Sequence, residues 1–281
     1  MEKFINEKVV VYISKFTNTK VIKALKDGMM FSLPFLMIGS LFLLIANLPI
    51  KSLNTLVAEC GLADICSQVY SSTFSLMALF TVVGITYSYL KNDKISTAVN
   101  GALTGLAAFV LLTPSSKVLE NGEAVTGVIS KDWTAGQGMI CAILIGFLVG
   151  YIYSLCIRKD IRVKMPEGVP PGVADSFSSL LPTGIITIVC AIIYAVCHFV
   201  FKTTFAELIY SVIQIPLQGV TDSFAGVVIM TIMMSLLWWT GVHGGSICGG
   251  ILSPILQANM AANQKIIDSG VALTVQNGGH I

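Results

Sequence analysis

Charge is scarce in this 281-residue chain. Asp, Glu, Lys and Arg together make up 11% of it, against about 25% in a soluble globular domain. With 54% hydrophobic residues and a mean hydropathy of +0.81, a soluble class is excluded and a polytopic membrane protein is indicated. A Walker loop of the form GxxxxGK[ST] is missing, which argues against an ATP-driven pump. Zincin and nucleotide-fold signatures are missing too. The long apolar segments contain no Asp or Glu, so a passive channel or an ion-coupled symporter lacks the carboxylate that would hold a proton or Na⁺. No basic patch has interleaved aromatics, so the net charge of +2 gives no nucleic-acid partner. Seven cysteines are scattered without metal-ligand spacing and read as small buried hydrophobes. Only Cys60 and Cys66 are open to pairing outside the cell, and nothing else points to a disulfide framework. No metal or cofactor is expected. The first 26 residues hold six lysines and no apolar h-region, so no cleavable leader is expected.

What the chain does have is apolar length. Charge-free gaps run over 28–50, 65–90, 95–116, 133–157, 176–201 and 223–264. Each of the first five suits one helix with some tilt. The sixth, 42 residues long, allows a full span and a second, glycine-interrupted one. The predicted fold class is all-α and polytopic, with about six to seven transmembrane helices. Lys and Arg set its orientation. The N-terminal segment carries six, the 91–94 link two and the 158–164 link four, whereas the alternate loops hold only Lys51, Lys117, Lys131 and Lys202. That asymmetry predicts a cytoplasmic N-terminus. Phe4, Ile5, Val9, Tyr12, Ile13 and Phe16 approximate one apolar face among lysines, so residues 3–26 are expected to form an amphipathic helix at the membrane interface. A second interfacial piece is expected at 201–218.

One histidine stands inside the longest run, in Trp238-Trp239-Thr240-Gly241-Val242-His243-Gly244-Gly245. An ionisable residue at membrane depth marks a functional site by default. An imidazole can donate and accept at once, and so can orient a sugar hydroxyl or help move its proton. The indole of Trp238 offers a face on which a pyranose can lie, and Gly244 lets backbone approach a ligand closely. A helix-end histidine bonded to a carbonyl beside interfacial tryptophans is the plainer alternative. Gly244, Gly245, Gly249, Gly250 and Pro254 fit either a broken transporter helix or close helix packing. Asn277-Gly278-Gly279 reads as a turn, with His280 uninvolved. His198, Lys202, Glu207 and Asp222 lie near span ends and need no special role, and Asn100, Gly101 and Gly105 suit packing.

Together with the lysine-rich start and Gly28 to Pro34, two motifs carry a resemblance. They are Met165-Pro166-x-x-Val169-Pro170-Pro171-x-Val173 and Trp238-x-x-Gly241-x-His243-Gly244. The chain resembles the membrane (IIC) component of the phosphoenolpyruvate-dependent sugar phosphotransferase system, in the lactose/cellobiose/diacetylchitobiose family. The resemblance implies a multi-pass permease of the bacterial plasma membrane that moves a disaccharide while a phosphorylated IIB protein, served by IIA, phosphorylates it. It implies a homodimer, with residues 1–27 as an amphipathic interfacial helix, 28–200 as a five-span dimerisation domain and 201–281 as the start of the transport domain. It assigns sugar contacts to Trp238, His243 and Gly244, and a catalytic part to His243. Members of the family are longer, and their catalytic glutamate has no counterpart here, which leaves enzymatic activity of the chain by itself open. On that reading the chain is a C-terminally truncated copy, and the competing expectation is a non-transporting membrane scaffold able to dimerise.

Overall fold

The computed structural model describes residues 15, 18–47, 51–119, 122–166, 168–221, 223–239 and 244–280. Its frame is a set of apolar helices around one central helix. Helices α1 (Lys20–Met30) and α2 (Leu33–Ala46) form one 27-residue span, with Pro34 in the first turn of α2, where its missing N–H costs nothing. After the short α3 (Lys51–Glu59), α4 (Leu62–Thr73) and α5 (Met77–Asn92) return as a second span, joined by a 3-10 turn at Phe74–Leu76. Helix α6 (Ala98–Leu112) is apolar but shorter, and a two-stranded hairpin, β1 (Ser116–Val118) with β2 (Ala124–Thr126), caps its far end. Helix α7 (Lys131–Thr134) and a 3-10 turn at Gly136–Gly138 lead into α8 (Met139–Arg158). At 1.5 Å per residue, this 20-residue helix is about 30 Å long, the thickness of a bilayer's hydrocarbon core.

The α9 (Pro171–Ser178) and α10 (Leu180–Val196) helices, with a π-helical turn at Cys197–Phe201, form the next span. Then come α11 (Phe205–Ile209), a π-helical turn at Tyr210–Gln214 and α12 (Ile215–Thr221). Helix α13 (Phe224–Trp239) is bent 83° from the segment before it, and α14 (Gly244–Asp268) closes the set. Among the described residues, four segments are long and apolar enough to cross a membrane, five if the bent pair counts as one. Large apolar side chains such as Met37, Ile188, Phe199 and Phe224 lie exposed, as a lipid-facing surface requires. The chain is thus an all-α, polytopic membrane protein.

Small residues set the packing. Helix α5 is enclosed by two glycine pairs spaced four apart, Gly101/Gly105 on α6 and Gly146/Gly150 on α8. A Cβ on Gly105 would lie 2.6 Å from Thr86 Oγ1, and one on Gly150 would lie 2.8 Å from the Tyr89 ring. Without a hydrophobic drive between helices in lipid, such close approach is what holds them together. The buried Val82, Ile85, Tyr89, Phe109, Ile145 and Tyr153 fill the resulting core.

The structure adds detail to three readings. The first span starts at Lys20 rather than at residue 28: Ala24 and Leu25 are buried in its packed face, while Lys20 reaches Asp93 and lies 4.3 Å from the Tyr89 ring centroid. The glycine-rich run from Gly244 does not break, since α14 is continuous through Gly245, Gly249, Gly250 and Pro254. Cys60 and Cys66 are both free thiols, one exposed and one buried. Phe4, Ile5, Val9, Tyr12, Ile13 and Phe16 lie outside the described residues.

Candidate functional site

Trp238 sits in the last turn of α13, with 54% of its surface exposed. Gly244 opens α14. Residues 240–243, His243 among them, lie outside the described residues, so the helices place Trp238 and Gly244 at the two edges of a four-residue junction. An aromatic face at one helix end and the following helix start, whose first N–H groups have no intrahelical partner, are suited to a ring with hydroxyls.

The α12–α14 region carries buried amides that formal charge does not reveal. Gln214, Gln218, Gln257 and Asn259 are all buried. Gln218 Nε2 donates to Asn259 Oδ1 at 3.0 Å, joining α12 to α14. Gln214 Nε2 donates to the Gly136 carbonyl at 2.8 Å, which ties the π-helical turn to the start of α8. Polar side chains inside a charge-free stretch were the available sequence signal; amides four apart at 214 and 218 escape a search for charges.

Two ionic clusters lie at opposite ends of α8. At its C-terminal end, Asp93 pairs with Lys20, hydrogen-bonds Ser154 and meets Arg158 Nη2 at 2.6 Å, with only 4% of its side chain exposed. Burial raises the Asp93 carboxyl, but these partners outweigh it and hold the group below the usual carboxylate range. Near the N-terminal end, Asp132 contacts Lys265 at 2.7 Å and Lys117 at 3.5 Å. Burial opposes ionisation there too, and the Lys265 and Ser130 hydrogen bonds overcome it.

The remaining candidates have structural roles. Glu207 closes a capping box with Thr204. His198 stacks on Tyr194 at a ring-centroid distance of 5.8 Å. Asn100 donates to Ser179 Oγ at 2.9 Å. The backbone N–H of His280 donates to Asn263 Oδ1 at 2.7 Å, and the Asn263 amide returns a bond to the His280 carbonyl. Gly278 takes φ +81°, the left-handed turn expected of it. Asp222 lies outside the described residues. Among the described residues no group of three His, Cys, Asp or Glu side chains is arranged to hold a metal.

Comparison with known proteins gives one consistent answer. Residues 26–281 match the family described as "Phosphotransferase system, EIIC". The chain is 32% identical over 269 residues to the oligo-beta-mannoside-specific EIIC component of Bacillus subtilis (strain 168), covering 95% of this chain and 60% of that one. It is 31% identical over 278 residues to the cellobiose-specific EIIC component of Geobacillus stearothermophilus, covering 95% and 61%. The solved structure of the transporter ChbC, the IIC component of the N,N'-diacetylchitobiose-specific phosphotransferase system, superposes with a TM-score of 0.89 at 31% identity, over 95% of this chain and 64% of that one. The chain therefore spans about 60% of the length of these two curated relatives.

Proposed function

Because the chain belongs to the phosphotransferase system EIIC family, we propose that it carries a disaccharide of the cellobiose or diacetylchitobiose type across the bacterial plasma membrane, coupled to phosphorylation of the sugar by a IIB protein that IIA recharges. The observation that carries this reading is the superposition on ChbC over 95% of the chain, which favours a permease over a non-transporting scaffold. Phosphorylation makes transport one-way. A sugar bearing about two negative charges cannot return through an apolar path.

In this reading the sugar lies against Trp238, the His243 imidazole orients the hydroxyl that receives the phosphoryl group, and Gly244 gives it close backbone access. Residues 28–200 form the dimerising domain of a homodimer and 201–281 begin the transport domain. The N-terminus faces the cytoplasm. Support for that orientation comes from the Lys20–Asp93–Arg158 cluster, which gathers the N-terminal, 91–94 and 158–164 segments at one end of the molecule, where the positive-inside bias puts them together.

Isothermal titration of the purified protein with cellobiose, diacetylchitobiose and lactose tests the reading. At least one sugar binds, and Trp238→Ala weakens it about tenfold, a loss of about 1.4 kcal/mol. In a version extended to the length of its relatives, in vesicles supplied with phosphorylated IIB, His243→Ala abolishes sugar phosphorylation without changing membrane insertion. Absence of heat with all three sugars, or unchanged phosphorylation in the histidine variant, removes the respective assignment.

A further inference from the structure

A cavity of about 390 Å³ opens where α4, α7, the Gly136–Gly138 turn, the π-helical turn Tyr210–Gln214, α12 and α14 converge. Its volume is within the ~300–1,000 Å³ of small-molecule sites. Trp238 is not among the residues that line it. Set among small apolar residues such as Ala258, Ala261 and Ala262, its wall presents amides and phenols from Gln137, Gln214, Gln218, Gln264, Tyr70 and Tyr210.

We infer that this cavity is a second saccharide site, on the outer face of the membrane, taking a neutral polyhydroxylated ligand before it reaches the junction. The inference rests on the permease reading above. Three observations support it independently of Trp238 and His243.

The first is charge. Lys131, Lys265, Asp132 and Asp268 also border the cavity, and they are engaged with protein groups. Lys265 contacts Asp132 at 2.7 Å, Lys131 contacts Ser71, and Gln264 donates to Asp268 at 2.7 Å. Two cations balance two anions, so an ionic ligand gains nothing there, whereas a neutral polyol finds many donors and acceptors beside two aromatic faces.

The second is Gln214. Its side chain is completely buried and lines the cavity. Its amide nitrogen is bonded to Gly136 while its oxygen has no hydrogen-bond partner among the described residues. A buried acceptor without a donor costs about 1–3 kcal/mol, a cost that a ligand hydroxyl relieves. The same residue ends a π-helical turn that Tyr210 begins, and such turns concentrate at functional sites.

The third is position. Gly136 stands at the start of α8 and Arg158, with the Asp93 cluster, at its end. The two places are about 30 Å apart along that helix, one hydrocarbon thickness. With the Asp93 cluster cytoplasmic, the cavity faces the medium from which sugar arrives.

Trp133 reports on the site, because its ring meets Tyr210 edge-on at a centroid distance of 5.8 Å. The chain has three tryptophans, so a Trp238→Phe, Trp239→Phe protein leaves Trp133 as the single emitter and also weakens the junction site. Titration with cellobiose should change Trp133 emission saturably. Gln137→Leu with Gln264→Leu should weaken that response at least tenfold, and Ala262→Leu, which narrows the cavity without removing a polar partner, should do the same if the glutamine variants fail to fold. A flat Trp133 signal, or a response indifferent to all these changes, overturns the second site while leaving the permease reading intact provided unmodified protein binds cellobiose calorimetrically. Failure of the unmodified protein to bind any of the three sugars overturns both.

Discussion

Helices α1 and α5 meet backbone to backbone at Gly28 and Gly84: a Cβ on Gly84 would lie 2.3 Å from the Gly28 carbonyl oxygen, and one on Gly28 would lie 2.6 Å from Ile85 Cα. Neither obstacle is the end of a flexible side chain, so neither substitution can be absorbed by a rotamer change. Gly84→Ala should destabilise the detergent-solubilised protein by about 1–3 kcal/mol, the range for overpacking a tight interior. Its melting temperature, followed by size-exclusion after heating, should fall. At Gly172 and Gly184 no atom lies within reach of an added Cβ, so Gly184→Ala serves as the control and should leave melting unchanged. Equal melting of Gly84→Ala and Gly184→Ala would contradict the contact.

The Asp93 cluster gives a pH dependence whose sign follows from its pKa. The folded carboxyl titrates below its ordinary value, about 3.9 in an unfolded chain. Its stabilising contribution is therefore fully present above that ordinary value and is lost as pH falls through the lower, folded one. Wild-type protein should hold a constant melting temperature from neutral pH to about pH 5 and lose stability below about pH 4. Asp93→Asn should be less stable at pH 7 and should show a shallower acid-side loss. A steeper acid loss in the variant would refute the assignment.

The architecture was largely legible because lipid makes charge expensive: the gaps at 65–90 and 176–201 fall within the spans Leu62–Asn92 and Pro171–Phe201, and the gap at 133–157 overlaps all but the last residue of Gly136–Arg158. Packing was legible at Gly101 and Gly105, which face Leu90 and Thr86. What escaped were features that charge counting does not register. Gln214, Gln218, Gln257 and Asn259 carry no formal charge, yet their burial organises the α12–α14 region. At Gly244 to Gly250 glycine frequency left a broken helix and close packing both open; the helix persists there through weak formers, because in hydrocarbon every unbonded peptide group costs free energy. The expected sugar contact at His243 lies outside the described residues, so Trp238 and Gly244 mark only the borders of that site.

Tyr153 ties three helices together. Fully buried on α8, its hydroxyl lies 2.8 Å from Ser179 Oγ and 2.9 Å from Thr97 Oγ1, at the heads of α10 and α6. Ser179 in turn donates to the Asp175 carbonyl at 2.7 Å and accepts from Asn100. Tyr153→Phe keeps the ring and removes the shared hydroxyl, so it should cost about 1–3 kcal/mol through the polar partners left behind. Combining it with Ser179→Ala should cost less than the two separate losses added together, since the partners lie in one network. Strict additivity in that double-mutant cycle would show that the hydroxyl contacts contribute nothing.

Orientation can be read from two thiols six residues apart. Cys60 is exposed between the first and second spans, and Cys66 is buried in α4 at 1% exposure. If the N-terminus is cytoplasmic, the Lys20–Ala46 span delivers Cys60 to the outer surface. A protein retaining only Cys60 should react with a membrane-impermeant maleimide in intact cells and should be protected in sealed inside-out vesicles. One retaining only Cys66 should resist in both, because nucleophilic attack requires an accessible thiolate and its sulfur is enclosed. Labelling of Cys60 only in inside-out vesicles would invert the topology. It would also place the Asp93 cluster outside and the 390 Å³ cavity on the cytoplasmic face, where arriving sugar could not meet it first.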